Sequence, residues 1–131
     1  MSIANASTIL TDEKLATIFP ASKTNDFFDA LYGDAEDGAY DIRLTFISAK
    51  ADRLELAFAL DQRPNQCLRC NLTYGLPQVF ARHPIIGVAK VVEGVAAMLG
   101  LDAAQCSWEL GRTQEHSEKI HTIPLSITVK A

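Results

Sequence analysis

Residues 40–60, YDIRLTFISAKADRLELAFAL, contain two runs in which apolar and polar side chains alternate, separated by a short polar stretch. Because successive side chains of a strand point to opposite faces of a sheet, each run predicts a strand with one apolar face. The apolar positions are Tyr40, Ile42, Leu44, Phe46, Leu54, Leu56, Phe58 and Leu60. The short connection predicts that the two strands are antiparallel neighbours.

A third alternating run follows, with Leu68, Cys70, Leu72 and Tyr74 on one face. Three such runs joined by short polar turns predict an antiparallel meander. The opposite faces of the first two runs carry Asp41, Arg43, Thr45, Arg53, Glu55 and Ala57. We therefore expect one side of the sheet to face water, as antiparallel sheets allow.

Two short helices are predicted before the meander. Thr11 is placed to cap a helix over residues 12–19, whose first turn is acidic. A second helix is predicted over residues 25–32, where Phe28, Leu31 and Tyr32 recur at helical spacing. Residues 1–10 are expected to be frayed.

A longer helix is predicted after the meander, with Pro84 as its first residue and its end near Leu99. Its sheet-facing stripe is Ile85, Val88, Ala89, Val92, Ala96 and Leu99. Two more strands are predicted at 106–110 and 123–129, joined by a polar loop. Because Pro124 has no backbone donor, the last strand is expected at a sheet edge or with that residue turned outward.

The predicted order is α-α-β-β-β-α-β-β. Strand runs separated by one long helix indicate an α+β fold: an antiparallel sheet, made of a three-strand meander and a two-strand hairpin, with helices packed on one face. A length of 131 residues and an apolar content of 48% are those of one globular domain, so residues 1–131 are expected to form a single domain.

Charge and hydropathy exclude several classes of partner. Sixteen acidic and twelve basic residues give a net charge of −4, and the basic residues are scattered, which argues against nucleic-acid binding. The most apolar stretch, residues 84–101, is interrupted by Lys90 and Glu93 and is too short for a membrane span. The first ten residues lack the features of a secretory signal, so a cytoplasmic location is expected.

Cys67 and Cys70 form a C-x-x-C string within the third alternating run. On a strand their side chains would lie on opposite faces, about 10 Å apart at the Cα atoms, which suits neither a disulfide nor a shared metal. Whether these cysteines meet Cys106, or His116 meets His121, is not decided by the sequence. No metal motif or cofactor fingerprint is present, and no cofactor is expected.

Arg82 and His83 directly precede the predicted helix start at Pro84. Cations are unfavourable at a helix N-terminus unless an anion joins them, so Arg82, His83 and the amides near Gly87, with Tyr74 as a wall, form a candidate pocket for an anion or carboxylate. The alternative is an ordinary helix start, with Arg82 paired to a nearby acid.

The same helix is apolar nearly all round, and Gly87, Val91, Gly94 and Met98 lie close to one line. One interpretation is a subunit interface in a homodimer, or a ligand groove. The other is a core helix held between the sheet and the two N-terminal helices, which satisfies the pattern without a partner.

No catalytic motif is present. The sequence therefore favours a small acidic binding or interaction module, such as an adaptor, a chaperone or a small-ligand carrier, that forms a homodimer and binds a protein partner or a small anionic ligand. The alternative is an anion- or carboxylate-binding enzyme or sensor with its site at the helix start near Pro84.

Overall fold

A computed structural model of the protein describes residues 6–20, 22–32, 40–50, 52–63, 76–83, 86–117 and 119–129. The helices are α1 (Ala6–Ile9), α2 (Asp12–Ile18), α3 (Ser22–Tyr32), α4 (Leu76–Arg82) and α5 (Val88–Met98), followed by a 3-10 turn at Ala103–Gln105. The strands are β1 (Tyr40–Ala49), β2 (Arg53–Gln62), β3 (Cys106–Leu110), β4 (Gln114–Glu115) and β5 (Ile120–Val129).

The five strands of the described residues form one antiparallel sheet in the order β1-β2-β5-β3, and the short β4 also pairs with β5. The helices pack against one face, so the predicted α+β class is confirmed. Strand β2 lies between β1 and β5. The predicted third strand of the meander, Leu68 to Tyr74, lies outside the described residues.

The predicted inward faces of β1, β2 and β5 form the floor of the core. The side chains of Leu54, Leu56, Phe58 and Leu60 are all buried. The Phe58 ring meets the rings of Phe19 and Phe80 edge to face, with centroids 5.5 and 5.6 Å away. One aromatic cluster therefore joins the helices to the sheet. Phe58 reaches it because alternate residues of β2 point inward.

Of the two alternatives for the last strand, the edge position is not observed, because β5 has β2 on one side and β3 and β4 on the other. The other alternative holds, because Pro124 lies opposite Ala57 with its side chain on the outer face of the sheet. The carbonyl of Pro124 accepts from the Gly111 N–H at 2.8 Å, so the main chain of Pro124 points toward the gap between β3 and β4. Its missing donor therefore faces the place where the neighbouring strand is interrupted, which is how a central strand tolerates a proline.

The predicted helix start at Pro84 is wrong. Helix α5 begins at Val88, after Gly87 at φ 60°, a left-handed conformation that favours glycine. A separate helix, α4, precedes it and is not among the predicted elements. Pro77 is the second residue of α4, in the first helical turn, where a missing N–H breaks no intrahelical bond.

The buried side of α5 differs in part from the predicted stripe. Val88, Val92, Ala96 and Leu99 are buried as expected, but Ala89 is exposed, and Val91 and Val95 are buried instead. Because α5 touches both α2 and the sheet side of the core, its buried sector is wider than one stripe.

Residues 6–10 are folded against the core, contrary to the expectation that residues 1–10 are frayed; residues 1–5 lie outside the described residues. Ala6 and Leu10 are buried, and the Leu10 N–H donates to the Ala6 carbonyl at 2.7 Å. The predicted cap of the next helix is confirmed, because the Thr11 hydroxyl accepts from the Lys14 N–H at 3.3 Å.

Candidate functional site

The residues predicted to bind an anion lie around the end of one helix and the start of the next. Arg82 is in the last turn of α4 and is exposed. The His83 ring lies 4.9 Å from the Phe27 ring, and its carbonyl accepts from the Gly87 N–H at 3.0 Å. Tyr74 lies outside the described residues. A cation is favourable at the C-terminal end of a helix, so the electrostatic argument for an anion beside Arg82 no longer applies.

The glycine line of α5 lies against another helix of the same chain. Val91 is 1% exposed, and a Cβ on Gly94 would lie 3.2 Å from Cγ2 of Ile18 in α2. Met98 packs against the core. This arrangement matches the alternative of a helix held between the sheet and the N-terminal helices. The homodimer stays a prediction, but the glycine line of α5 no longer supports it.

The histidines of the last hairpin point to different faces of the sheet. The Nε2 atom of His116 lies 2.7 Å from the Thr122 hydroxyl on the outer face. His121 is buried on the inner face, with its Nε2 3.4 Å from a Glu115 carboxylate oxygen. Within the described residues no group of three or more histidine, cysteine or acidic side chains could hold a metal ion.

The three cysteines have separate outcomes. Cys67 and Cys70 lie outside the described residues, so their predicted opposite faces stay a prediction. Cys106 at the start of β3 is a half-buried free thiol. Burial, together with the nearby Asp102 carboxylate, raises the pKa of Cys106 above its ordinary value.

The most distinctive polar arrangement caps the edge strand β1. The Thr24 hydroxyl of α3, 1% exposed, accepts from the Ile42 N–H at 3.0 Å and lies 3.4 Å from the Ile42 carbonyl oxygen. The N–H and C=O groups of Ile42 therefore point away from β2, and the Thr24 hydroxyl contacts both of them. Edge strands are commonly blunted in this way, because unpaired main-chain groups recruit other chains.

The cap covers only one residue of the edge. Main-chain groups of an antiparallel strand point the same way at every second residue, so those of Leu44 and Phe46 also point outward. In the described part of the chain no element outside the sheet forms a hydrogen bond with either residue. A β-bulge between Phe46 and Ser48 ends this stretch. We call Leu44 to Phe46 the edge window.

A groove lies beside the edge window, between α2 and β1. It has a volume of about 220 Å³ and is lined by Asp12, Ala16, Phe19, Ile42, Arg43 and Leu44. Its walls are mostly apolar, with Asp12 and Arg43 as the charged members. The Asp61 carboxylate accepts from Arg43 Nε at 3.0 Å, and this hydrogen bond raises the pKa of Arg43.

Sequence reasoning missed this edge site, although one signal was present. Thr24, Phe27, Phe28 and Leu31 follow helical spacing in α3, so a hydroxyl occupies a position in an otherwise apolar stripe. A buried hydroxyl needs a hydrogen-bond partner, and here the partner is the main chain of β1. The groove itself depends on how α2 crosses β1, which no local pattern encodes.

The described helices include none that is long and apolar enough to cross a membrane. Comparisons of this chain with known proteins found no matching family model, no similar curated protein and no similar solved structure.

Proposed function

We propose that this protein is an interaction module that binds an extended peptide segment of a partner protein by strand addition to β1. The observation that carries the proposal is the edge window of Leu44 and Phe46 beside an apolar groove. Strand addition combines these two features: main-chain hydrogen bonds supply affinity, and pockets for alternate side chains supply specificity.

The geometry sets the size of the bound segment. The Thr24 cap closes the edge at Ile42, and the bulge closes it after Phe46. Two outward-pointing residues offer two N–H and two carbonyl groups, which pair with a segment of about three to five residues at roughly 3.3 Å per residue. Such a short ladder gives modest affinity, so the groove must supply the rest by taking one apolar side chain.

The charges around the groove favour a basic neighbour for that apolar side chain. Arg43 is held by Asp61, whereas Asp12 lies in the first turn of α2 next to Glu13. The whole chain carries a net charge of −4. A peptide with a lysine or arginine beside its apolar residue would thus approach a surface of opposite charge.

The test uses fluorescent heptapeptides that alternate apolar with lysine or serine residues, and reads binding by fluorescence anisotropy. We expect binding to the natural chain, at least tenfold weaker binding to Ala16→Glu, and unchanged binding to Thr17→Glu. Both positions are exposed on α2 and both changes add one negative charge, but only Ala16 lines the groove.

A second set of peptides separates strand addition from simple groove binding. These peptides keep their side chains but carry N-methyl groups at alternate main-chain nitrogens, which removes the donors that a new strand needs. Loss of binding supports the proposal. Equal binding of the methylated peptides, equal effects of the two variants, or no binding by any peptide of the set would overturn it.

Two further properties belong to this proposal. We expect the module to act in the cytoplasm, where a free thiol such as that of Cys106 stays reduced. We also expect it to form a homodimer, because two-fold dimers are the commonest assemblies of small domains.

A further inference from the structure

We infer that the outer face of the sheet, opposite the helices, is the surface through which two copies of this chain associate. The inference extends the homodimer of the proposed function and places it on a surface that does not depend on the peptide site. Three features carry the inference: an exposed apolar side chain, an apolar depression next to it, and two ion pairs that balance surface charge beside the depression.

The exposed side chain is Ile47 in the bulge of β1. The strand register passes from Phe46 opposite Leu56 to Ser48 opposite Glu55, so Ile47 has no residue opposite it. Its side chain is 61% exposed, the most of any large apolar residue that the structure describes. A bulge re-aims side chains at a sheet edge, and here it projects an isoleucine toward solvent.

The depression lies on the same face and spans the sheet from β1 to β4. It has a volume of about 300 Å³. Ile47 lines it at the β1 end, Ala57, Thr122 and Pro124 are small or flat residues within it, and Gln114 and His116 line it at the β4 end. A depression of this size accommodates an isoleucine side chain, so the surface offers both a projecting group and a place to receive one.

A two-fold interface requires a surface that is complementary to itself, because each copy presents the same patch to the other. A projecting isoleucine next to a matching depression meets this requirement. With a two-fold axis through the depression, the Ile47 side chain of each copy enters the depression of its neighbour. A foreign partner would need only one of these two features.

The charges of this face are arranged so that two acidic chains can approach. Two arginines of this face pair with acids of the same face: Arg43 with Asp61 at 3.0 Å, and Arg53 with Glu55 at 2.6 Å. Two copies carry −4 each and repel at long range. The two ion pairs balance most of the charge beside the depression, which reduces that repulsion.

The test compares two isoleucines of the same face. Ile120 is 40% exposed but does not line the depression. We expect analytical ultracentrifugation of the natural chain at about 50 µM to give twice the chain mass, Ile47→Ser to raise the dimer Kd at least tenfold, and Ile120→Ser to leave it within twofold. Both substitutions are neutral in charge and lie on exposed side chains, so the fold is expected to be retained and is checked by circular dichroism.

The outcomes separate this inference from peptide binding. A natural chain that stays monomeric, or a dimer that Ile47→Ser leaves intact, or equal weakening by both variants would overturn the inference. The Ala16→Glu variant should remain dimeric while losing the peptide, and Ile47→Ser should keep the peptide while losing the dimer. Either result can therefore fail while the other stands.

Discussion

The two faces of β2 show what an alternating sequence does and does not determine. Leu54, Leu56, Phe58 and Leu60 point inward and are buried under the helices. Arg53 and Glu55 point outward and pair with each other. Yet Ala57 and Ala59 also point outward and are only 3% and 2% exposed. Alternation therefore sets the direction of a side chain, whereas its depth depends on the strands beside it.

The burial of the outward alanines has a simple cause. Ala57 lies between Thr45 of β1 and Pro124 of β5, and Ala59 lies between Arg43 and Thr122. A methyl group flanked by longer side chains on both neighbouring strands is shielded without any covering layer. The same shielding creates the depression of the outer face, so a face predicted to be wet holds a small apolar floor.

The largest expected difference between the two faces is in unfolding free energy, measured by substituting the inward Leu56 and its outward neighbour Glu55. Leu56→Ala should cost about 2–5 kcal/mol of unfolding free energy, because it leaves a cavity among packed groups. Glu55→Ala should cost about 1 kcal/mol or less, because it removes a surface ion pair and a hydrogen bond to Ser126. Urea denaturation measures both. Equal losses would mean that the register of β2 is wrong.

The packing of the helical layer is tested at Gly94. A Cβ added there would lie 3.2 Å from Cγ2 of Ile18, so Gly94→Leu should force α2 and α5 apart and cost about 1–3 kcal/mol. Ala97→Leu on the exposed side of the same helix should change stability by about 0.5 kcal/mol or less.

A double substitution identifies the contact responsible. Ile18→Ala removes the side chain that Gly94 faces, so it should relieve part of the cost of Gly94→Leu when the two are combined. Additive losses would place the strain elsewhere in the layer. A harmless Gly94→Leu would mean that the two helices do not pack closely.

The edge cap is tested by removing one hydroxyl. Thr24→Val keeps the shape of the side chain but leaves the Ile42 main chain without its partner, which should cost about 1–2 kcal/mol. Thr24→Ser keeps the hydroxyl and should recover most of that loss. If the serine and valine variants are equally stable, water or another group replaces the cap, and the edge is more open than the structure shows.

The sequence predicted the class, the inward faces of β1 and β2, the Thr11 cap and the last hairpin, because each rests on local periodicity or local hydrogen bonding. It misplaced the start of α5 because Pro84 resembles a helix start, whereas the chain instead turns at Gly87. It left open whether β5 lies at an edge, because the gap opposite Pro124 belongs to another strand.

The candidate site was less predictable than the fold. The edge window depends on which strand ends the sheet, and the groove depends on the crossing of α2 over β1. Both are relations between elements distant in the chain. Only the polar Thr24 in the stripe of α3 marked the place in the sequence.

The smallest expected effect concerns a side chain at the margin of the inner face, the half-buried thiol of Cys106. Its Sγ lies 3.6 Å from the Asp102 carbonyl oxygen, and burial raises the pKa of Cys106 above the value of an unfolded thiol. A raised pKa means that the unfolded chain ionises first as the pH increases. The thiol's contribution to stability is therefore complete below the unfolded pKa of about 8.5 and declines as the pH rises through the folded value.

This decline is measured in a chain carrying Cys67→Ser and Cys70→Ser, so that Cys106 is its only thiol. Between pH 7 and pH 9.5 the urea midpoint should fall slightly more for this chain than for the same chain with Cys106→Ala. Only the first chain loses the contribution of a neutral buried thiol. A thiol reagent should also modify Cys106 more slowly in the folded chain at pH 8 than after unfolding, since the folded protein holds less thiolate. If the two chains lose stability equally and the thiol reacts at the same rate in both states, Cys106 is solvated, and the first residue of β3 does not pack against the core.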